Sequence, residues 1–257
     1  MAVSPATLKG LVLPAALIAT AEIGGRMADL QYSDSLATPS AIVVAFGQAV
    51  ADGSILTTTR DTLVTAFAGL GIGGTVGLLI GILLGVLPTA DRLMEVTIES
   101  IRPIPSIAVL PIALIALGFG YRLEIAIVAF ACMWPLLILT RSAVRGVEPR
   151  LMEVSRALRL TPAARVVKIV IPAALPRIFV AFRLAAGIAL IVSVTVEIAI
   201  NPLGLGHAIM TAQQALRPEL MLAYLVWLGV VGWGLNALLL FAQQRLFGRA
   251  AMVEERQ

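Results

Sequence analysis

The chain has 257 residues, of which 59% are hydrophobic and 13% charged, with a formal net charge of +4 and a mean hydropathy of +0.97. A soluble domain carries about 25% charged residues, so this composition cannot cover a water-facing surface and membrane integration is the first reading. A single cysteine, Cys132, excludes an internal disulfide framework, and a single histidine, His207, excludes a histidine-rich metal site and most metal-dependent hydrolysis.

A spanning helix needs about 20 mostly apolar residues. The chain offers one weak and five good candidates. The weak one is the run Leu8–Ile23, giving a first membrane helix over 8–25 that carries Lys9 and Glu22. Lys9, the apolar run and Ala19-Thr20-Ala21 also fit a cleaved signal peptide. Residues 26–61 form a polar segment on the outer face. Within it Thr38-Pro39-Ser40 is a helix-start signal, and Ala41–Ala51 reads as a short helix lying on the membrane surface.

The second span is Thr62–Leu87. Its glycines Gly69, Gly73, Gly77, Gly81 and Gly85 recur every four residues. They form one smooth stripe on which another helix can pack closely, more simply as ordinary helix packing than as a sliding surface. The third span is Ile104–Phe119, short unless it starts nearer Ile101. The fourth is Leu123–Thr140, with Met133 and Trp134 at mid-depth as candidates to line a cavity. The fifth is Ile178–Ile200, and the sixth is Leu220–Leu240. In the fifth, Arg183 is a candidate for the solute path because an ionisable group in a span is functional by default, although its stem can also snorkel. Glu197 either supports a gate around Asn201–His207 or reaches water. Glu22, Glu95 and Glu99 read as interfacial, and His207 as a surface loop residue. Pro14, Pro103, Pro105, Pro111 and Pro135 lie in or beside spans, where kinks are tolerated.

The loop 141–177 fixes orientation. It carries Arg141, Arg145, Arg150, Arg156, Arg159, Arg165, Lys168 and Arg177 against Glu148 and Glu153. The positive-inside rule places it, and the tail with Arg245, Arg249 and Arg256, in the cytoplasm. That rule also explains the basic balance without nucleic acid. The loop is too long and patterned for a plain connector. Glu148-Pro149 opens a short amphipathic helix with Leu151, Val154 and Leu158 on one face. Thr161-Pro162 opens a second helix, expected to end at Pro172.

This loop resembles a family signature. The permease subunits of ABC importers carry a Glu, two small residues, three variable ones, a Gly, nine more, then Ile-x-hydrophobic-Pro. Here it reads Glu153-Val154-Ser155, three residues to Leu158, Arg159 in the Gly position, then Ile169-Val170-Ile171-Pro172. Pro172-Ala173-Ala174-Leu175-Pro176, Arg183-Leu184-Ala185-Ala186-Gly187, Thr38-Pro39-Ser40-Ala41, Arg102-Pro103-Ile104-Pro105 and Gly204-Leu205-Gly206 resemble its nitrate, sulfonate and taurine branch. The resemblance covers nearly the whole chain and favours a retained first helix.

What the resemblance implies is an all-α, polytopic membrane protein of the type I ABC importer permease fold. It would be a single transmembrane domain over 1–257 with six spans, a core over 62–245 and a cytoplasmic coupling-helix hairpin. It implies residence in a bacterial inner membrane with both termini cytoplasmic. Glu153, Val154, Ser155, Arg156, Ala157, Leu158, Arg159 and Leu160 would face an ATPase subunit, with Ile169, Ile171 and Pro172 anchoring the hairpin. Two ATPase copies, a second permease copy as a homodimer, and a periplasmic solute-binding protein are the implied partners. The implied solute is a small anion such as nitrate, bicarbonate, a sulfonate, taurine or an aromatic acid. The chain would bind no cofactor and be no enzyme, since it lacks a Gly-rich Lys-Ser/Thr nucleotide loop; ATP and Mg2+ would belong to the partner. Arg159 departs from the pattern where a left-handed backbone is often needed, and an ionic contact to the ATPase would be its compensation. An ion-coupled secondary transporter or channel is the alternative. It requires intramembrane acidic groups and usually inverted repeats, and neither is evident in the sequence.

Overall fold

The computed structural model describes residues 5–28 and 36–248, with side chains from residue 12 onward. Every described element is helical. Helix α1 (Pro5–Met27) leads to α2 (Pro39–Ala51), α3 (Ser54–Val86), α4 (Pro88–Ile101), a 3-10 turn (Ser106–Val109) and α5 (Leu110–Leu117). Then come α6 (Tyr121–Arg145), α7 (Pro149–Ala157), α8 (Pro162–Arg165), a π turn (Val166–Val170), α9 (Ile171–Ala199), α10 (Gly204–Gln214) and α11 (Pro218–Phe247). Lys9, Asp29, Asp34, Arg249 and Arg256 fall outside the described side chains.

Helix α2 forms where the Thr-Pro-Ser signal places it. Thr38 Oγ1 accepts from the Ala41 N–H, and Pro39 stands at the first helical position. Glu22 of α1 closes the same end, accepting from the Ser40 N–H at 2.9 Å and the Ser40 hydroxyl at 2.8 Å. A carboxylate there meets the positive end of the helix dipole. Helix α3 starts at Ser54 rather than Thr62. Its polar opening stays helical because Thr57 and Thr58 both donate back to the Ser54 carbonyl, at 2.9 and 2.8 Å, satisfying the hydroxyls within the helix. At 33 residues the helix is about 50 Å long, so it outreaches an apolar layer about 30 Å thick.

The expected third span, Ile104–Phe119, corresponds to the segment Ser106–Leu117, which reaches spanning length only together with α4. Pro103 and Pro105 lack the N–H groups that would carry α4 onward, and α4 and the 106–117 segment meet at 78°. Four helical stretches among the described residues are long and apolar enough to cross a membrane: α3, α6, the run from Pro162 to Gln214, and α11. The bent α4–α5 pair makes a fifth. Helix α1 has the length, at 23 residues, but its glycines, threonines, Lys9, Glu22 and Arg26 dilute its apolar character.

The centre of the molecule is α3, α6 and α9. The glycine stripe packs against α6 backbone to backbone: a Cβ at Gly73 would lie 2.0 Å from the Ala129 carbonyl oxygen, and one at Gly77 2.4 Å from that of Met133. Gly69, Gly81 and Gly85 face Val128, Leu137 with Thr140, and Val144 in the same way. The stripe is therefore an internal seam. Opposite it, α9 offers Ala181, Ala185 and Ala189, all buried with Leu70, Ile127 and Leu136. Cys132 lies in that core, its thiol directed at the Ala185 carbonyl. Tyr224 and Trp227 of α11 pack on Phe46 and Ala49 of α2, and their polar tips reach Ser54 and Thr59 of α3. Large apolar side chains remain exposed along α1, α2, α3 and α11, Trp233 and Phe241 among them. Such surface suits lipid or another membrane helix.

Candidate functional site

The basic hairpin is present, with changed bounds. Arg141 and Arg145 belong to the last turns of α6. One helical turn apart, they clamp the buried Asp91 at the start of α4: Arg141 Nη2 donates to Asp91 Oδ2 at 2.8 Å, and Arg145 Nη2 contacts the same oxygen. Arg177 Nη1 donates to the Gly146 carbonyl at 3.1 Å and closes the end of α6. The projecting part is α7, its turn and α8.

Helix α7 presents Leu151, Val154 and Leu158 outward, the last 65% exposed, together with Glu153, Arg156, Ala157 and Arg159. Its inner face is Met152, packed against Val144, Val170 and Ala174, and the fully buried Ser155, whose hydroxyl donates to the Met152 carbonyl at 2.6 Å. Ser155 thus stands behind the presented surface, and Leu160 is half-buried. Glu153 lies beyond the first turn of α7, which holds no acidic residue, so the helix dipole gives it little.

The turn has the geometry that the glycine of the pattern would favour. Arg159 has φ of 50°. Its N–H donates to the Arg156 carbonyl at 2.9 Å, and the Leu160 N–H donates to the Ser155 carbonyl at 3.0 Å. This is a Schellman motif built on arginine. Leu216, with φ of 53°, closes α10 with the same pair of bonds, Leu216 to Gln213 and Arg217 to Ala212.

The second arm does not end at Pro172. Thr161 caps it by accepting from the Ala164 N–H. The chain then passes through the π turn, where the Ile171 N–H reaches back to Val166, and continues into α9. The wider turn lets Pro172, which has no N–H, sit in the first turn of α9 without breaking the helix. It also rotates the buried face. Val170 and Ala174 are the packed residues, whereas Ile169 and Ile171 are half-buried and Pro172 is exposed.

Of the path candidates, Trp134 lines a groove of about 420 Å³ between the 3-10 turn, α6 and α9. Arg102, Ser106, Phe130, Ile138 and Leu184 also line it, and Met133, Arg183 and Glu197 do not. The indole Nε1 of Trp134 is buried without a hydrogen-bond partner. A neighbouring groove holds Arg141, Arg145 and Ser142, with Ile138 common to both. Arg183 instead donates to Gln243 of α11 at 3.1 Å.

Glu197 does not reach water. It is 1% exposed, at the end of the bundle remote from the hairpin, and its Oε2 accepts from the Gly206 N–H at 2.7 Å. Gly204, with φ of +80°, lies so close that a Cβ there would be 2.0 Å from Glu197 Oε1. Sequence reasoning missed its neighbour Glu124, on α6 and 0% exposed. Thr65 and Ser193 hydroxyls donate to Glu124 Oε1, and Asn201 Nδ2 donates to Oε2 at 2.6 Å. Asn201 Oδ1 accepts from the Gly120 N–H at 2.8 Å, and Thr62 Oγ1 from the Leu205 N–H at 2.9 Å. Two acids are therefore buried among the helices of the chain, contrary to the expectation of none. Glu124 sits two residues from Arg122 in the first turn of α6. His207, expected in a loop, is an exposed residue of α10.

Comparison with known proteins adds the family. Residues 77–251 match the family described as binding-protein-dependent transport system inner membrane component. The chain is 31% identical to the "Putative aliphatic sulfonates transport permease protein SsuC" of Bacillus subtilis (strain 168), over 88% of this chain and 81% of that protein. It is 32% identical to the bicarbonate transport system permease protein CmpB of Synechocystis sp. (strain ATCC 27184 / PCC 6803 / Kazusa), over 73% of this chain and 67% of that one. A chain of the MetNI methionine ABC transporter in an inward-facing conformation superposes with a TM-score of 0.65 at 24% identity, over 75% of this chain and 93% of its own.

Proposed function

The chain belongs to the family of binding-protein-dependent transport system inner membrane components, and from that premise we propose that it forms half of the translocation path of an ABC importer for a small anion. It is a transport permease rather than an enzyme. Its hairpin docks on a separate ATPase subunit, which supplies the ATP and Mg2+ chemistry. A solute-binding protein delivers cargo to the opposite face. Two copies of the chain, related by a twofold axis, complete the path in a bacterial inner membrane, with the hairpin and both termini cytoplasmic.

The hairpin carries this reading. Its outward face combines exposed leucine and valine with arginine, a surface that asks for a protein partner. Its second arm runs without interruption into α9. A push on α7 therefore reaches the core as a rigid-body movement, not as loop flexing.

The solute class is supported by the relatives and by the groove. Relatives are named for aliphatic sulfonates, bicarbonate and nitrate. The groove offers a cation, Arg102, and a hydroxyl donor, Ser106, among apolar walls. That set suits an anion.

The test is a paired measurement on Leu158→Asp. A charge on the outward face should abolish co-purification of the ATPase and uptake into vesicles, while helical content and melting temperature stay unchanged. Retention of both ATPase and uptake would overturn the proposal.

A further inference from the structure

The corner where α3, α6, α9 and α10 meet has one polar atom too few. Glu124 lies against Glu197: Ser193, four residues before Glu197, and Asn201, four residues after it, both donate to Glu124, and both acids are sealed from solvent within the chain itself. Each acceptor oxygen around them is matched to a donor except one. Glu124 Oε1 takes two hydroxyl protons, and Oε2 takes the Asn201 amide. Glu197 Oε2 takes the Gly206 N–H. Glu197 Oε1 is buried and makes no hydrogen bond, although the Thr62 hydroxyl, whose oxygen accepts from the Leu205 N–H, lies beside the same carboxyl.

No charge on the surrounding elements repairs this. On α3, Arg60 and Asp61 bond to one another, and the Tyr121 hydroxyl of α6 donates to Asp61. Arg122 of α6 makes no described bond to either acid. His207 of α10 is bonded to Thr211. Between Arg183 and its end, α9 carries no ionisable group besides Glu197. Among the described residues no cation bonds either carboxyl. Two buried carboxylates side by side without a counter-charge are unstable, and such pairs neutralise by holding a proton in common.

We propose that Glu124 and Glu197 form a proton-binding site that holds one proton between them and ties the remote end of the transport core shut. A proton fits better than a metal ion. The Thr65 and Ser193 hydroxyls and the Asn201 amide donate to Glu124 rather than offering lone pairs to a common centre, and two adjacent buried carboxyls without a cation call for one shared hydrogen. With the proton in place, α6 and α9 are bridged directly. Asn201 extends the bridge to the Gly120 turn, and Glu197 extends it to the N-terminus of α10. Removal of the proton leaves two repelling charges inside that knot, so opening of this end and release of the proton are one event.

The ionisation claim stands on the corner alone. Its meaning for gating rests on the transport function, and the two fail separately. The test uses the purified full-length chain in lipid nanodiscs. Infrared spectra at neutral pH should show the carbonyl stretch of a protonated carboxylic acid, absent from Glu197→Gln and unaltered by sodium. The folded state then holds a proton that the unfolded chain lacks at neutral pH, so melting temperature should fall as pH rises from the ordinary carboxylate range through neutrality, and level off once the folded state has also lost the proton. Glu197→Gln, neutral throughout and able to donate its amide hydrogen, should lose that fall. If this variant does not fold, the wild-type band and its pH-dependent melting still decide. No protonated carboxyl in the wild type overturns the site, as does a band that survives Glu197→Gln. A band or melting temperature governed by sodium would assign a metal ion instead and equally overturn it. A confirmed proton with pH-independent uptake would reject the gating role alone.

Discussion

At the scale of single residues, Arg159 shows a sequence departure resolved by backbone geometry. The turn keeps the left-handed conformation and both Schellman hydrogen bonds although the side chain disfavours them. Replacing Arg159 with glycine should therefore raise stability by about 1 kcal/mol, read as a higher melting temperature of the permease alone. If the arginine earns its place through an ionic contact with the ATPase, the same variant should bind the ATPase more weakly, with the loss growing smaller as salt is raised. Unchanged or tighter ATPase binding would leave the arginine without that role. Leu216 is the control, since it has the same conformation far from the hairpin.

At the scale of elements, the α3–α6 seam is set by glycine. Between membrane helices, lipid offers no hydrophobic drive, and close backbone approach provides the packing energy. At Gly73 the approach is to the Ala129 backbone carbonyl, which has no flexible end to swing away. Gly73→Ala should therefore force α3 and α6 apart, and we expect folded protein to be lost or its melting temperature to drop sharply. Gly71, one of the glycines on the same helix with open space around it, should accept alanine with little change. Equal tolerance at both positions would mean that the seam is not the determinant. The hairpin is an element of the opposite kind, joined to the core by the unbroken run of α8, the π turn and α9 rather than by a seam.

At the scale of the whole molecule, the largest exposed apolar surfaces lie on α1, α3 and α11, and the grooves at Trp134 and Arg141 open on one side of α6. A path lined on one side only needs a second wall. We expect native mass spectrometry of the detergent-extracted permease to give two copies of the 27.0 kDa chain. A monomer retained inside a complex competent for uptake would refute the twofold arrangement.

Composition and hydropathy by themselves determined that this is a helical membrane protein, because an apolar run has few ways to satisfy its backbone in lipid other than as helix. The hairpin motif was equally legible, since proline and threonine mark helix starts by local chemistry, and so was the glycine stripe, whose four-residue period is a property of one helix. Tertiary structure alone decided three other matters. It joined the second hairpin arm to α9, because a π turn is a geometric accommodation with no sequence signature of its own. It set the 78° angle between α4 and the third span, where the prolines dictate only that α4 stops. It also brought Glu124 to Glu197, which are far apart in the chain and meet only because α6 and α9 run side by side, so that the sequence offers Glu197 as a lone gate candidate and only the fold supplies its partner.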